Sequence, residues 1–172
     1  MEPSDRTTWR ISQVRIRYLG IGESGLVQVW SLMSECGKSS LLIADDDPQI
    51  RYLMETAAER SGRFGRVEMA PDGESALILL RQRDQADYPD LIVSDLCMPR
   101  MDGIALIREL KRDPNLRRIP IAIVTSSNIP NDREDALAAG ACAFIEKPQG
   151  LDALARMLDS LRGCCSTAPS VA

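Results

Sequence analysis

Leu41-Leu42-Ile43-Ala44-Asp45-Asp46-Asp47-Pro48 holds a strand, a turn and the start of a helix in one short run. The four apolar residues follow one another without polar alternation, which suits a strand buried on both faces. Three aspartates end the run. Asp47 carries the side chain an N-cap needs, and Pro48 suits the first helical turn. Ile50, Leu53, Met54 and Ala57 then repeat at helical spacing.

The same unit recurs down the chain. Val67–Ala70 predicts a second strand, with Asp72 capping a helix that carries Ala76, Leu77, Leu79 and Leu80 and dissolves in polar 82–88. Leu91-Ile92-Val93 predicts a third strand, ending at Ser94-Asp95. A loop with Pro99 and Asp102-Gly103 leads into a helix holding Ile104, Leu106, Ile107 and Leu110. Ile121–Val124 predicts a fourth strand, and Arg133–Ala139 a short helix stopped by Gly140. Ala141–Ile145 and Leu151–Leu161 complete the series as strand and amphipathic helix. Five strands alternating with five helices predict an α/β fold: a flavodoxin-like, doubly wound, five-stranded parallel sheet of order 2-1-3-4-5, with helices on both faces. The regular pattern is expected to span residues 39–163, with a flexible tail at 164–172. Residues 1–38 break the pattern. They read as an irregular extension or a weak hairpin around Gly20–Gly25, and Met33 is an alternative natural start that would leave 1–32 as upstream sequence.

Composition narrows the function. The 172 residues are 44% hydrophobic and 27% charged, the balance of an ordinary soluble domain. A net charge of −4 argues against an extended phosphate-backbone footprint, so no direct nucleic-acid partner is expected. The absence of histidine excludes histidine catalysis and histidine-ligated zinc. Five cysteines without a Cys-x-x-Cys pair fit reduced thiols in a cytoplasmic protein, and Cys97 and Cys142, beside apolar runs, read as small buried thiols. No apolar run approaches a membrane span, so no membrane insertion is expected.

The polar residues sit where such a sheet gathers its ligands. The first strand ends in Asp45 and Asp46, the third in Asp95 and the fourth in Thr125, and Lys147 follows the fifth. With the first, third, fourth and fifth strands adjacent, all five side chains converge at one end. Crowded carboxylates invite an oxygen-preferring dication, and Mg²⁺ is the natural candidate. Lys147 supplies a compact positive charge for Asp95 or a phosphoryl oxygen. A carboxylate so held can attack phosphorus and form an acyl phosphate, with the spreading charge met by Mg²⁺, Lys147 and the Thr125 hydroxyl. Taken singly, each residue has an ordinary explanation: a solvated helix N-terminus, a loop cap, a β-former, an exposed lysine. Their conjunction at strand ends carries the functional reading.

Four segments together resemble the signature blocks of response-regulator receiver domains: Leu-Leu-Ile-Ala-Asp45-Asp46-Asp47, Asp95-Leu-Cys-Met-Pro99-Arg-Met-Asp102-Gly103, Ile-Val-Thr125-Ser-Ser, and Phe144-Ile-Glu-Lys147-Pro148. The match covers about residues 40–163, in the right order and near the usual spacing. The resemblance implies Asp95 as phosphoacceptor and a Mg²⁺ site of Asp45, Asp46, Asp95 and the Cys97 backbone carbonyl. It implies Thr125 and Phe144 as a switch pair: the Thr125 hydroxyl turns to the phosphoryl group and Phe144 fills the vacated space. It also implies a cis bond at Lys147–Pro148. Cys97 and Ser127 occupy two positions that tune phosphoryl loss in this family, and neither suits orienting water, so slow loss is expected. Asp113-Pro-Asn-Leu-Arg-Arg-Ile-Pro120 and the enlarged segment before Pro89 resemble the small stand-alone regulators paired with phytochrome-type histidine kinases.

The function so implied is a single-domain response regulator of a two-component phosphorelay, not a turnover enzyme. It would take its phosphoryl group from a sensor histidine kinase or phosphotransfer protein. It would signal to a downstream protein target, with room for a homodimer through the helix 4–strand 5–helix 5 face. Little sequence follows Lys147-Pro148, so no DNA-binding output domain is expected there. Two alternatives stand beside this. Asp45-x-Asp47 loosely resembles the first motif of haloacid-dehalogenase-like phosphatases, although Pro48 and Gln49 fit poorly and no second acidic cluster follows. A receiver-like scaffold that acts without phosphorylation is the other.

Overall fold

The computed structural model describes residues 38–127 and 129–165. Its elements run β1 (Ser39–Ala44), α1 (Pro48–Ser61), β2 (Phe64–Ala70), α2 (Gly73–Arg81), a 3₁₀ turn (Gln85–Asp87), β3 (Leu91–Ser94), α3 (Gly103–Arg112), β4 (Ile121–Thr125), α4 (Pro130–Ala139), β5 (Ala143–Glu146) and α5 (Leu151–Cys165). All neighbouring strands pair in parallel, in the order β2-β1-β3-β4-β5. This is the expected doubly wound sheet. The chain reverses its direction of travel between β1 and β3, and the carboxyl ends of those two strands open a crevice there.

Alternate residues of each central strand feed opposite cores. Leu41 and Ile43 of β1, Leu91 and Val93 of β3, and Ala122 and Val124 of β4 pack with Met54, Ala57, Leu154 and Leu158 of α1 and α5. Leu42, Ile92, Ile121 and Ile123 face the other way, against Leu77, Leu80, Leu106, Ile107 and Leu110 of α2 and α3, with Ala136 of α4. Phe144 of β5 packs on this second face. Each large aliphatic side chain fully buried in these layers contributes about 1.5–3 kcal/mol. The uninterrupted apolar strands are the direct consequence of needing two dry faces.

Aspartates start three of the helices. The Asp47 side chain accepts from the Gln49 N–H at 2.8 Å, Asp72 from Ser75 at 2.8 Å and Asp102 from Ala105 at 2.7 Å. Helix α1 closes on Gly62 and α4 on Gly140, both at positive φ.

Several local expectations need correction. Strand β2 begins at Phe64, because that ring is buried under α1 and α5 and draws the segment into the sheet. Helix α4 begins at Pro130 rather than Arg133, a residue whose fixed φ suits a first helical position. Cys97 and Cys142 are exposed, not buried. Cys97 lies between Leu96 and Met98, which turn inward in its place, and Cys142 precedes β5. The Lys147–Pro148 peptide is trans. The hairpin expected near Gly20–Gly25, the start at Met33 and residues 166–172 of the tail lie outside the described residues. No helix among the described residues is long and apolar enough to cross a membrane.

Candidate functional site

At the carboxyl end of the sheet the strands deliver acidic groups into a dry setting. Backbone hydrogen bonding continues one residue past β1 and β3: the Asp45 N–H donates to Ala70 O (3.1 Å) and the Asp95 N–H to Ala44 O (2.7 Å). This fixes both aspartates relative to the sheet. Asp45 is 1% exposed and Asp95 is 8% exposed. The Lys147 N–H donates to Thr125 O at 2.8 Å, which sets the lysine beside the end of β4.

Lys147 Nζ stands between the two carboxylates, 2.8 Å from Asp45 Oδ2 and 3.3 Å from Asp95 Oδ1. The first contact is a hydrogen-bonded ion pair. The second is a charge contact without hydrogen-bond alignment, and Asp95 Oδ1, though buried, accepts no hydrogen bond. Asp95 Oδ2 accepts from the Cys97 N–H at 3.2 Å. Asp45 differs: its Oδ1 accepts from the Asp47 N–H at 3.0 Å, so both of its oxygens are engaged.

Burial raises the Asp45 carboxyl above the ordinary aspartate range, against the lowering effect of Lys147 and of the Asp47 N–H; the nearby Asp95 charge raises it further. For Lys147, burial works downward, but the hydrogen bond to Asp45 and the Asp95 and Asp45 charges outweigh it and leave the ammonium raised. Burial thus opposes the charge on both groups, and only for Lys147 do the neighbouring charges outweigh it.

Thr125 is 1% exposed, and its Oγ1 accepts from the Ser127 N–H at 3.1 Å. Phe144 is half-buried on the α4 side of the sheet. Asp46 is exposed and follows Asp45 directly. Asp47 is occupied as the cap of α1 and does not join the site, which removes the feature that suggested a dehalogenase-like phosphatase.

The donor set suits an oxygen-preferring dication. A buried carboxylate oxygen without a hydrogen bond, Asp95 Oδ1, is the kind of acceptor a cation satisfies. Among the described residues, no three His, Cys, Asp or Glu side chains stand grouped so as to grip a metal by themselves. Lys147 Nζ lies within 3.3 Å of both Asp45 and Asp95. A cation here would complete its shell with carbonyl, water and ligand oxygens, as Mg²⁺ habitually does.

Two further residues shape the site without any signal in composition. The Arg51 guanidinium donates to the Asp45 carbonyl at 2.6 Å from one turn into α1. Gly103 opens α3 against the main chain just after β3: a Cβ there would lie 2.5 Å from the Asp95 carbonyl oxygen. Its N–H donates to Leu96 O at 2.9 Å. A glycine directly after the Asp102 cap was the available clue.

The response regulator receiver domain family matches residues 41–159. A gliding motility regulatory protein of Myxococcus xanthus is 37% identical over 122 residues, covering 70% of this chain and 15% of that protein. Response regulator Rre1 of Synechocystis is 31% identical over 122 residues, covering 71% of this chain and 51% of the relative. The chain therefore spans about half, or less, of the length of these curated relatives. The solved structure of the phosphorylated cyanobacterial phytochrome response regulator RcpA superposes with a TM-score of 0.66 at 28% identity, over 77% of this chain and 97% of that one. The family match spans well over half of the chain, and the chain belongs to the response regulator receiver family.

Proposed function

We propose that Asp95 accepts a phosphoryl group from a phosphohistidine donor, a sensor histidine kinase or a phosphotransfer protein, in a Mg²⁺-dependent reaction. The observation that carries this is Asp95 Oδ1: buried, without a hydrogen bond, and 3.3 Å from the Lys147 ammonium. A carboxylate so placed keeps lone pairs available for attack on phosphorus. An Asp95 oxygen forms the new P–O bond, the donor's P–N bond breaks, and the imidazole leaves with the electron pair.

The chain's own residues divide the remaining work. Lys147 holds positive charge beside the acceptor, and its raised pKa keeps it charged throughout the physiological range. The Thr125 hydroxyl stands at the end of β4, where it can turn toward a phosphoryl oxygen, with Phe144 following as its switch partner. Asp45, Asp46, Asp95 and the Cys97 carbonyl would hold Mg²⁺. When bound, the ion neutralises charge on the phosphoryl oxygens. Neither Cys97 nor Ser127 carries a carboxylate or amide to orient water, which favours slow phosphoryl loss. The protein then acts by contact with a downstream target in the cytoplasm, in the manner of the phytochrome-linked regulators that it resembles, rather than as a turnover enzyme.

Beryllofluoride, which mimics a phosphoryl group on a carboxylate, tests this directly. The wild-type chain is expected to bind it only with Mg²⁺ present, and Asp95→Asn or chelation of the metal is expected to abolish binding. A wild-type protein that fails to bind, or an Asp95→Asn variant that binds equally well, rejects the proposal.

A further inference from the structure

Two consecutive residues of α4 reach to the two halves of the Thr125–Phe144 pair. The Ser127 N–H donates to Thr125 Oγ1 (3.1 Å), and the Ser127 hydroxyl donates to the Asp132 carboxylate while accepting from the Ile129 N–H (3.3 Å). Arg133, the next residue, donates from its guanidinium to the Phe144 carbonyl at 3.0 Å and lies 5.3 Å from the centroid of the Phe144 ring. One face of Phe144 is thus covered by a cation and its main chain is tethered by the same group.

We propose that Asp132 and Arg133 are positioning residues that couple Thr125 to Phe144 and hold both in the resting arrangement. The proposal rests on Asp95 being the phosphoacceptor.

Thr125 Oγ1 is held by an amide from its own loop. To meet a phosphoryl oxygen the hydroxyl must turn and donate, which strains the Ser127 N–H contact. Ser127 cannot shift alone, because its hydroxyl is bound to Asp132. Asp132 and Arg133 share one helical turn, so a displacement of the first moves the second. That movement loosens the guanidinium from the Phe144 carbonyl and ring together.

Electrostatics supplies a direction. Asp132 reaches the site through Ser127, whose N–H binds Thr125 Oγ1 and whose hydroxyl binds the Asp132 carboxylate. A phosphoryl group adds about −1.5 to −2 charges there. Repulsion then pushes Asp132 outward, the movement that releases Phe144.

Asp132 also lies in the first turn of α4, where a carboxylate favours any helix. The test must therefore read coupling rather than stability. Amide spectra and beryllofluoride titrations with Mg²⁺, on the full chain, do so. Arg133→Ala is expected to move the Ser127 amide resonance toward its beryllofluoride-bound position, although Arg133 makes no hydrogen bond to Ser127. Asp132→Ala and Arg133→Ala should each tighten beryllofluoride binding roughly threefold, the scale of a partly exposed charged contact. Asp132→Asn, which keeps an acceptor oxygen for Ser127, should return most of the affinity to the wild-type value. An unmoved Ser127 amide in Arg133→Ala, or unchanged affinity in both alanine variants, overturns the coupling and leaves the Asp95 reading intact. Failure of the wild-type chain to bind beryllofluoride overturns both.

Discussion

Asp90 and Asp95 flank the same strand and lead opposite lives. Asp90, exposed before β3, accepts from the Ser40 N–H at 2.7 Å and the Ser40 hydroxyl at 2.9 Å through one oxygen. Its own N–H donates to the Ser40 carbonyl, so the residue stitches β1 to the start of β3. Asp95, buried after β3, has one oxygen with no hydrogen bond and one held only by the Cys97 N–H. The strand spends one carboxylate on holding its neighbours and leaves the other under-satisfied. Burial without full satisfaction opposes folding, and what it preserves is an acceptor with unused lone pairs.

Lys147 should give the largest effect at the Asp95 end. Lys147→Gln removes the one charge contact of Asp95 Oδ1 among the described residues and is expected to slow phosphorylation by a small acyl phosphate by about 100-fold, the scale of losing one preorganised charge-stabilising donor. Time courses of phosphoprotein formation check this. A near wild-type rate would show that the contact is incidental.

Asp45 comes next, through stability. Its carboxyl is raised by burial, so the folded state holds the proton more tightly than the unfolded state. The group therefore favours folding below its unfolded pKa, and that favour is lost as pH rises through the folded value. At neutral pH the ionised group opposes folding. Asp45→Asn, which cannot ionise, is expected to raise the melting temperature by a few degrees at pH 7, about 1 kcal/mol. The gap should narrow as the pH falls toward the carboxylate range and wild-type Asp45 protonates. A variant that melts below wild type at pH 7 would mean that the Lys147 pair outweighs desolvation.

The smallest effect belongs to the opposite end. Asp90→Ala is expected to lower unfolding free energy by about 1 kcal/mol in urea titrations, from the lost hydrogen bonds to Ser40. Phosphorylation should be unchanged. A parallel loss of phosphorylation would dissolve the distinction between the two aspartates.

Much of this was legible in the sequence, for identifiable reasons. Apolar runs such as Leu91-Ile92-Val93 have one reading in a chain of alternating strands and helices, and the aspartates that end them follow the strands to one edge. The caps Asp47, Asp72 and Asp102 carry their own local chemistry. What escaped were side-chain contacts that no local motif marks, whether the partner lies near or far along the chain. Nothing near Arg51 marks it for the Asp45 carbonyl, and nothing near Asp132 or Arg133 marks them for Ser127 and Phe144. The contact of Lys147 with both Asp45 and Asp95 is likewise a product of packing. The exposed thiols of Cys97 and Cys142 show the reverse error: an apolar stretch does not bury every residue beside it.

The glycine at the start of α3 has a mechanical consequence. Position 103 is pressed so closely onto the Asp95 main chain that no side chain fits between them. The Asp95 main chain and the head of α3 are therefore packed in direct contact. Beside it, the loop after β4 is held through Ser127, by hydrogen bonds to the Thr125 hydroxyl oxygen and the Asp132 carboxylate. Under the proposed phosphorylation of Asp95, the site would work as a vice with one fixed jaw and one moving jaw, and the chemical event on the fixed side would become displacement on the other.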